Sequence, residues 1–452
     1  MQFVLTKEFI QELREAVQKQ DELKVVELTH ELHPADLAEI IEELDPAELS
    51  QFFQYLDSEK AADSLMELED EVREKFLSTL TSEEIAKYFI DNLDSDDAAD
   101  VISELPEGVK DEVISQLEDV EQASDIVDLL GYAEDTAGGL MAKEMIRVNE
   151  NWTLTKCVRE MRKQAENIEN IYTIYVVDDD NKLRGTLSLK KLLFAPPRSK
   201  ISSLYQKEVI FVKASASSED VATIMDKYDL VVLPVLDELN RLIGRITIDD
   251  VVDVMREEAE KDYQLASGIS KPIDFSDRMA LLTRARLPWL LIGLVGGILG
   301  ARVIEMHEGT LQINPEMAFF IPLIAAMGGN VGVQSSAIIV QSIANSSLRL
   351  DTVAGRLGKE LLGSILNGLV CSMLILGYNL LFSDSLILSF TVAIALLSVI
   401  VVSAMLGTAV PLILNRYKID PALATGPFIT TMNDIFGLFI YFGIGRLIHM
   451  MF

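Results

Sequence analysis

The chain has 452 residues, a formal net charge of −32 and a hydrophobic content of 49%. The charge lies in one part: from Pro288 onward there are 8 acids and 7 bases, which leaves 63 of the 71 acids and 32 of the 39 bases before it. An acidic soluble part followed by a near-neutral apolar part excludes a single soluble globular domain, and no nucleic-acid partner is expected.

The cysteines and the N-terminus indicate where the acidic part is located. Cys157 and Cys371 lie far apart in different surroundings, so they predict neither a disulfide framework nor a CxxC metal motif. The N-terminal sequence MQFVLTKEFIQELREAV is charged and amphipathic, unlike a signal peptide. We therefore expect the acidic part, with the N-terminus, to stay in the reducing cytoplasm.

A leucine recurs through residues 1–131 at a step of 12 residues, with one step of 13. The repeated positions are Leu32, Leu44, Leu56, Leu68, Leu80, Leu93, Leu105 and Leu117. Apolar residues also fall three and four positions earlier in the units, and Asp-Pro, Asp-Ser or Thr-Ser pairs at the junctions supply helix caps. The pattern predicts an acidic, all-α solenoid of short stacked helices, an architecture that most often serves as an interaction scaffold.

Residues 132–255 contain an internal duplication at an offset of 59 residues, IYVVDDDNKLRGTLSLKKLL against LPVLDELNRLIGRITIDDVV. Each copy predicts a strand, a turn, a strand and a helix. This α+β repeat resembles a tandem pair of CBS domains, and the resemblance implies binding of adenine nucleotides or ions. The ribose-binding pattern [ST]-x-x-D occurs in the second copy, from Thr247 to Asp250, whereas the first copy has Lys191 at the last position. ATP binding is therefore an expectation for one site, at Thr247 and Asp250.

Five long apolar runs follow, and each reaches the roughly 20 residues that cross a bilayer as a helix. They cover Leu287–Ile304, Met317–Ile343, Leu361–Phe382, Leu386–Leu414 and Ala422–Ile448. Lys and Arg cluster before the first run and after the second and fourth, so the positive-inside rule predicts a cytoplasmic N-terminus and an external C-terminus in the cell (inner) membrane. We expect a connecting helix over 256–286 and a five-helix transmembrane pore domain over 287–452.

Asp434 lies within the last run, GPFITTMNDIFGLFIYFGI, without a basic partner in mid-span. A carboxylate in mid-membrane costs about 2.5 to 3.5 kcal/mol on insertion scales and is usually kept for an ion or proton path. The structural alternative is a carboxylate near a helix end that accepts hydrogen bonds from Thr430, Thr431 or Asn433. The first interpretation is favoured, and a cation is the natural counter-charge.

Glycine and proline interrupt two of the runs, in IPLIAAMGGNVGVQSSA and in the segment before Asp434. Close helix packing alone would explain the small residues. Amides and hydroxyls stand among them, however, which favours two broken helices around a wet cavity. The expected pore-lining residues are Gly328, Gly329, Asn330, Gln334, Gly426, Pro427, Thr430 and Thr431.

A single carboxylate per chain half-compensates a divalent ion, so we expect a two-fold homodimer in which two Asp434 side chains face one ion. Few carboxylates with carbonyl and amide oxygens suit hydrated Mg²⁺, and there is no His or Cys cluster for zinc or copper. The alternatives are a broader channel that passes Co²⁺ or Mn²⁺, and a membrane-anchored nucleotide or ion receptor. An enzyme is not expected, because the sequence has no P-loop, nucleophile elbow, metal-His motif or ATPase domain.

The order of solenoid, CBS pair, connecting helix and five spans, with GGNVGVQSS from Gly328 and GTAVPLILNRYKIDPALATGPFITTMNDIFG from Gly407, resembles the MgtE family of magnesium channels. The resemblance implies a pore Mg²⁺ site at Asp434 and a further ion contact at Asp420. It also implies regulatory Mg²⁺ at Asp96, Asp100, Glu219, Asp229, Asp250, Asp253, Glu258 and Asp262. Ser217 and Lys261 depart from the acidic residues of that pattern. Because acidic faces repel unless cations bridge them, high internal Mg²⁺ is expected to close the channel.

Overall fold

The structure is a computed structural model that describes residues 3–68, 70–165, 168, 170–271, 273, 278–344, 353–383, 385–424 and 426–451. These residues form two compact units, Met1–Met255 and Arg256–Phe452. The boundary falls inside one helix, α14 (Ile248–Ala266).

The first unit begins with ten short helices. They are α1 (Lys7–Gln18), α2 (Glu22–Thr29), α3 (Pro34–Glu42), α4 (Pro46–Phe53), α5 (Ser58–Met66), α6 (Asp70–Leu77), α7 (Ser82–Tyr88), α8 (Ser95–Glu104), α9 (Glu107–Gln116) and α10 (Val120–Leu129). From α3 onward the helices start 12 or 13 residues apart, as the leucine repeat predicts. Leu44, Leu68, Leu93 and Leu105 are buried between them, so the repeat marks the solenoid core.

The rest of the first unit consists of two three-stranded sheets with the same topology. The first copy has β1 (Ile146–Asn149), α11 (Leu154–Gln164), β2 (Ile174–Val177), β3 (Leu183–Leu187) and α12 (Leu189–Phe194). The second has β4 (Val212–Lys213), α13 (Ser218–Tyr228), β5 (Val232–Leu236), β6 (Leu242–Thr247) and the start of α14. In each copy the first strand pairs parallel and the third antiparallel with the central strand. The predicted duplication is therefore confirmed.

One continuous apolar core joins the solenoid to the second copy, from Ile10 to Val251. The first copy has its own core, which includes Val148, Met161 and Val176. In the structure, this shared core includes Ala98 and Val101 of α8 and Val251 of α14. These two helices carry most of the acids discussed below.

The second unit contains the C-terminal part of α14 and six further helices among the described residues. These are α15 (Met279–Met306), α16 (Glu308–Ile313), α17 (Ile321–Ala344), α18 (Val353–Phe382), α19 (Leu386–Arg416) and α20 (Pro427–Met451). In the part of the chain that the structure describes, five helical stretches are long and apolar enough to cross a membrane: Met279–Met306, Pro315–Ile343, Val353–Phe382, Leu386–Arg416 and Pro421–Met451. The segment 256–286 is not one helix, because α14 ends at Ala266 and α15 begins at Met279.

The prediction that the second span is a broken helix is wrong. In the structure α17 is continuous from Ile321 to Ala344, and Pro322 lies in its first turn, where a missing N–H costs nothing. The glycines serve helix packing instead: a Cβ at Gly332 would lie 1.7 Å from the Asn433 Nδ2 atom, and one at Gly407 would lie 2.4 Å from the Gly332 carbonyl oxygen. In the fifth span the interruption precedes α20, between a 3-10 helix that ends at Ala424 and Pro427.

Candidate ion sites

An acidic cleft of about 1220 Å³ lies in the first unit, where acidic lining side chains outnumber basic ones fourteen to four. Its tightest group consists of Asp94, Asp96 and Glu144, whose carboxylate oxygens lie within 4.8 Å of one another. Three carboxylates at this distance match the oxygen ligands that Mg²⁺ and Ca²⁺ prefer. The group is therefore a candidate divalent-cation site.

The start of α8 positions this group. The Ser95 hydroxyl and N–H donate to the Glu144 carboxylate at 2.8 and 3.2 Å, so a residue from the segment before β1 caps α8. The Arg245 guanidinium donates to the Glu144 carbonyl at 2.5 Å and to Asp94 at 3.2 Å. Free N–H groups at a helix N-terminus favour negative charge, which lets these acids gather there.

The cleft raises the pKa of several carboxyl groups. Burial, followed by the charge of Asp250, raises the pKa of Asp97 to about 7. Burial and the neighbouring Asp97 hold the pKa of Asp96 well above its ordinary value. Raised carboxyl pKa values mean that negative charge is under-compensated, and a bound cation would relieve it.

Thr247 and Asp250, predicted as a nucleotide contact, lie at this cleft. The Asp250 carboxylate accepts hydrogen bonds from the Thr247 hydroxyl at 2.5 Å and from its N–H at 3.2 Å. Burial first, and then the Asp249 charge, raise the Asp250 pKa despite these bonds. The structure thus brings Asp250 close to Asp96, and the Asp250 charge also acts on Asp100, one turn further along α8. Burial first, and then the Glu134 charge, raise the pKa of Asp100 to about 7.

Three other predicted regulatory residues lie outside the cleft. Glu219 is in the first turn of α13, and Asp229 ends that helix with a left-handed backbone, φ 51°. Asp253 lies on α14. All three side chains are exposed, and among the described residues none lines the cleft.

A second, smaller acidic group lies in the second unit, where Glu258 and Asp262 are on α14 and Asp420 precedes the last span. Partial burial, then the Asp420 charge and then the Glu258 charge, raise the Asp262 pKa. Glu258 pairs with Lys261 at 2.9 Å, and the Asp420 carboxylate accepts from the Ala422 N–H at 2.8 Å. Lys261, where the resemblance expects an acid, therefore neutralises part of this group.

Asp434 is half-buried on α20 and faces the glycine-rich part of α17. A Cβ at Gly329 would lie 3.2 Å from Thr430 Cγ2 and 3.8 Å from Asp434 Oδ1. The Thr430 hydroxyl donates to the Gly426 carbonyl at 3.0 Å rather than to Asp434. The structure thus brings Gly329, Thr430 and Asp434 together. Thr431 lies instead against Gly296 of α15, where its Cγ2 would be 1.9 Å from an added Cβ.

Asn330 and Gln334, four residues apart on α17, have exposed side chains in the single chain. Polar side chains on the outer surface of a membrane-spanning helix need a wet or protein-covered environment. Gly328, by contrast, is buried, and a Cβ there would lie 3.1 Å from Val399 and 3.2 Å from Ser403.

Sequence reasoning missed several residues of these sites. Asp94 and Asp97 belong to the run DNLDSDDAAD and were detectable there, but Glu144 lies 48 residues beyond Asp96. Glu360 on α18 accepts a hydrogen bond from Ser335 of α17 at 2.6 Å. In the sequence, Glu360 stands out only as a single acid directly before the third apolar run.

Comparison with known proteins decides the family. The MgtE profile, described as a divalent cation transporter, matches residues 321–444, the MgtE intracellular N domain matches 32–135, and CBS domains match 137–198 and 201–257. The magnesium transporter MgtE of Bacillus subtilis is 34% identical over 316 residues, 70% of each chain. The chain belongs to the MgtE family. MgtE of Thermus thermophilus is likewise 34% identical over 72% of each chain.

Two solved structures resemble the cytosolic part of this MgtE chain. The soluble part of a magnesium transporter is 29% identical, with a TM-score of 0.51 over 56% of this chain and 99% of that chain. The cytosolic domain of the Mg²⁺ channel MgtE in complex with ATP is 35% identical, with a TM-score of 0.51 over 54% and 99%. The predicted family, fold class and non-enzymatic character are confirmed, and the chain is a membrane protein of a family that transports Mg²⁺.

Proposed function

We propose that this MgtE chain forms a homodimeric Mg²⁺ channel for uptake across the inner membrane, with Asp434 at the pore site and the C-terminus outside. The observation that carries the proposal is the exposed amide pair Asn330 and Gln334, which flanks the contact between Gly329 and Asp434. In one chain this polar pair is exposed, and within a bilayer it would need water or protein to cover it. A two-fold axis along α17 and α20 would cover it and put two Asp434 carboxylates opposite each other.

Such a site suits hydrated Mg²⁺ better than a dehydrated ion. Mg²⁺ sheds water reluctantly and is commonly held by one or two carboxylates through its water shell. Two Asp434 carboxylates would balance its charge, while the amides of Asn330 and Gln334 offer oxygens to the bound waters. Co²⁺ and Mn²⁺ also accept oxygen ligands, so competition by these ions measures how selective the site is.

The acidic cleft is the proposed sensor of cytosolic Mg²⁺. Asp94, Asp96 and Glu144 form its centre, and Asp97 and Asp250 add charge that neighbouring bases do not balance. Mg²⁺ binding at this cleft would hold α8 against α14, and α14 continues into the second unit. High internal Mg²⁺ would thereby favour the closed state by binding it more tightly. Glu258, Asp262 and Asp420 are a proposed second contact, weakened by Lys261.

ATP binding by the CBS pair is a further part of the proposal. Its support is the similarity to a cytosolic domain solved with ATP. Asp250, the predicted ribose contact, accepts hydrogen bonds from Thr247 and lies among acids, so cation binding and nucleotide binding would compete for it. A calorimetric titration of the full-length protein with ATP, with and without Mg²⁺, would show that competition as a Mg²⁺-dependent change in ATP affinity.

Mg²⁺ uptake into proteoliposomes tests the channel directly. The unaltered protein should give saturable uptake, and Asp434→Ala should abolish it while leaving the dimer intact in size-exclusion chromatography. Saturable uptake that survives in Asp434→Ala would assign the carboxylate a structural role. Uptake that Co²⁺ or Mn²⁺ inhibits as well as excess Mg²⁺ would identify a broader divalent channel.

A further inference from the structure

The end of α14 is fixed by a tight backbone motif. The Gly268 N–H donates to the Leu265 carbonyl at 3.0 Å and the Ile269 N–H donates to the Gln264 carbonyl at 2.9 Å. These are the two bonds of a Schellman motif, which requires a left-handed residue just past the helix, and Gly268 has φ 81°. A residue with a side chain would be strained at this position.

Gly268 also touches the first turn of the pore helix. A Cβ at position 268 would lie 2.6 Å from Pro427 Cγ and 3.0 Å from Pro427 Cδ. Immediately before Pro427, Gly426 has φ 54°, and a Cβ there would lie 2.4 Å from the Ala266 carbonyl oxygen. Two left-handed glycines, one from each segment, thus let the end of α14 and the start of α20 meet without side chains between them.

Hydrogen bonds fasten the turn that follows α14. The Gln264 amide donates to the Ile273 carbonyl at 2.9 Å and accepts from the Ile273 N–H at 2.9 Å. The Ser270 hydroxyl and N–H both donate to the Ala285 carbonyl, at 2.8 and 3.0 Å. The turn is therefore tied to α14 on one side and to α15 on the other, which leaves little freedom for the junction to absorb a movement.

The junction leads directly to the proposed ion site. The Gly426 carbonyl accepts from both the N–H and the hydroxyl of Thr430, at 3.1 and 3.0 Å. Thr430 and Asp434, four residues apart, lie on the face of α20 that meets Gly329, and Gly426 holds the start of that face through Thr430. A displacement of Gly426 therefore shifts this face.

We propose that Gly268 is a positioning residue, and that its contact with Pro427 joins the end of α14 rigidly to the first turn of α20. Movement of α14 then changes the position of Thr430 and Asp434 itself, in addition to any obstruction of the inner mouth. This inference rests on the proposed function, because it gives the sensor signal a route to the pore site. The coupling passes through two helix ends in contact.

Gly268→Ala tests this contact, because its methyl group would push the end of α14 away from the start of α20 and strain the backbone. Mg²⁺ uptake into proteoliposomes is measured at increasing internal Mg²⁺. We expect the internal Mg²⁺ that half-inhibits uptake to rise about tenfold, within the range of typical coupling factors. The matched control is Gly293→Ala on α15, where an added Cβ meets nothing within 4 Å.

Two further variants keep the test decisive should Gly268→Ala fail to fold. Gln264→Ala removes the tie to Ile273 without adding an atom, and should raise the inhibiting Mg²⁺ concentration in the same direction. In Gly268→Ala/Pro427→Ala the atoms that clash are absent, so the two substitutions should be non-additive. If the unaltered protein and all these variants are inhibited at the same Mg²⁺ concentration, the proposed Gly268–Pro427 coupling is wrong, while the proposed inhibition by internal Mg²⁺ is supported. If internal Mg²⁺ does not inhibit the unaltered protein at all, both the proposed coupling and the proposed Mg²⁺ sensor are wrong.

Discussion

The two units of this MgtE chain use carboxylates in opposite ways. The first gathers many around one cleft, where Asp94, Asp96 and Glu144 approach within 4.8 Å. In the second, Asp434 lies half-buried against Gly329 among apolar helices, and the amides of Asn330 and Gln334 on α17 are exposed. A crowded cleft open to water responds to ion concentration, because each bound cation relieves several repulsions. A lone carboxylate among apolar helices only half-compensates a divalent ion, and the proposed dimer would supply the second one.

The largest expected effect is at the lone carboxylate. Asp434→Asn keeps the shape but removes the charge, and we expect Mg²⁺ flux to fall about a hundredfold, as expected when about 3 kcal/mol of charge interaction is lost. Proteoliposome uptake measures it. Glu316→Gln is the matched control, since Glu316 is an exposed acid of the same unit. Equal flux in the two variants would contradict the pore role.

The next effect concerns packing around the pore. Gly332→Ala would put a methyl group 1.7 Å from the Asn433 amide nitrogen and 2.9 Å from Ile429. Overpacking of this kind costs about 1–3 kcal/mol, so the unfolding midpoint in detergent should fall. Gly363→Ala on α18, where nothing lies within 4 Å, should leave it unchanged or raise it slightly. A stable Gly332→Ala protein would mean that α17 and α20 are less tightly packed than the structure has them.

A third comparison separates acids inside the cleft from those outside. Asp250 is half-buried beside Asp97, whereas Asp253 is exposed one turn further along α14. We expect Asp250→Asn to raise the internal Mg²⁺ that half-inhibits uptake about tenfold, and Asp253→Asn to change it less than about twofold, as exposed charges are screened. Equal shifts would make Asp253 a ligand and the cleft only part of the sensor.

Local patterns predicted the helices and the duplication well. The leucine step predicted the solenoid because each unit buries the same position, and Gly185 and Gly244 match because a crossing segment lies against each, at Gln206 and Met141. The acidic cleft was predicted only in part. Glu144 joins Asp96 through tertiary packing of α8 against a distant loop, and no local pattern records that.

The prediction of a broken second span was wrong for a related reason. Glycine in a membrane helix permits either a break or a close crossing, and only the neighbours decide between them. Asn433 of α20 and Gly407 of α19 both lie against Gly332, so here the glycine permits a close helix crossing. The paired positions in α19 and α20 were visible in the sequence, but their proximity was not.

The smallest effect is the pH dependence of the cleft, and its sign follows from the raised Asp97 pKa of about 7. Between the ordinary carboxyl pKa near 4 and about 7, the folded cleft binds more protons than the unfolded chain, so stability is lost as pH rises through this window. One such group changes the free energy of unfolding by at most about 1.4 kcal/mol per pH unit. Without divalent ions, proteolysis of the solenoid in the full-length protein should therefore be faster at pH 8 than at pH 5.

Mg²⁺ separates this effect from a general pH sensitivity. At pH 8 bound Mg²⁺ takes the place of the protons, so it should slow proteolysis strongly, whereas at pH 5 it competes with bound protons and should slow it little. Asp97→Asn removes one of the titrating groups and should reduce the difference between the two pH values. The Asp253→Asn protein should keep it, because that carboxylate is exposed. A difference that persists unchanged in Asp97→Asn would place the titration elsewhere and leave the cleft acids ionised at neutral pH.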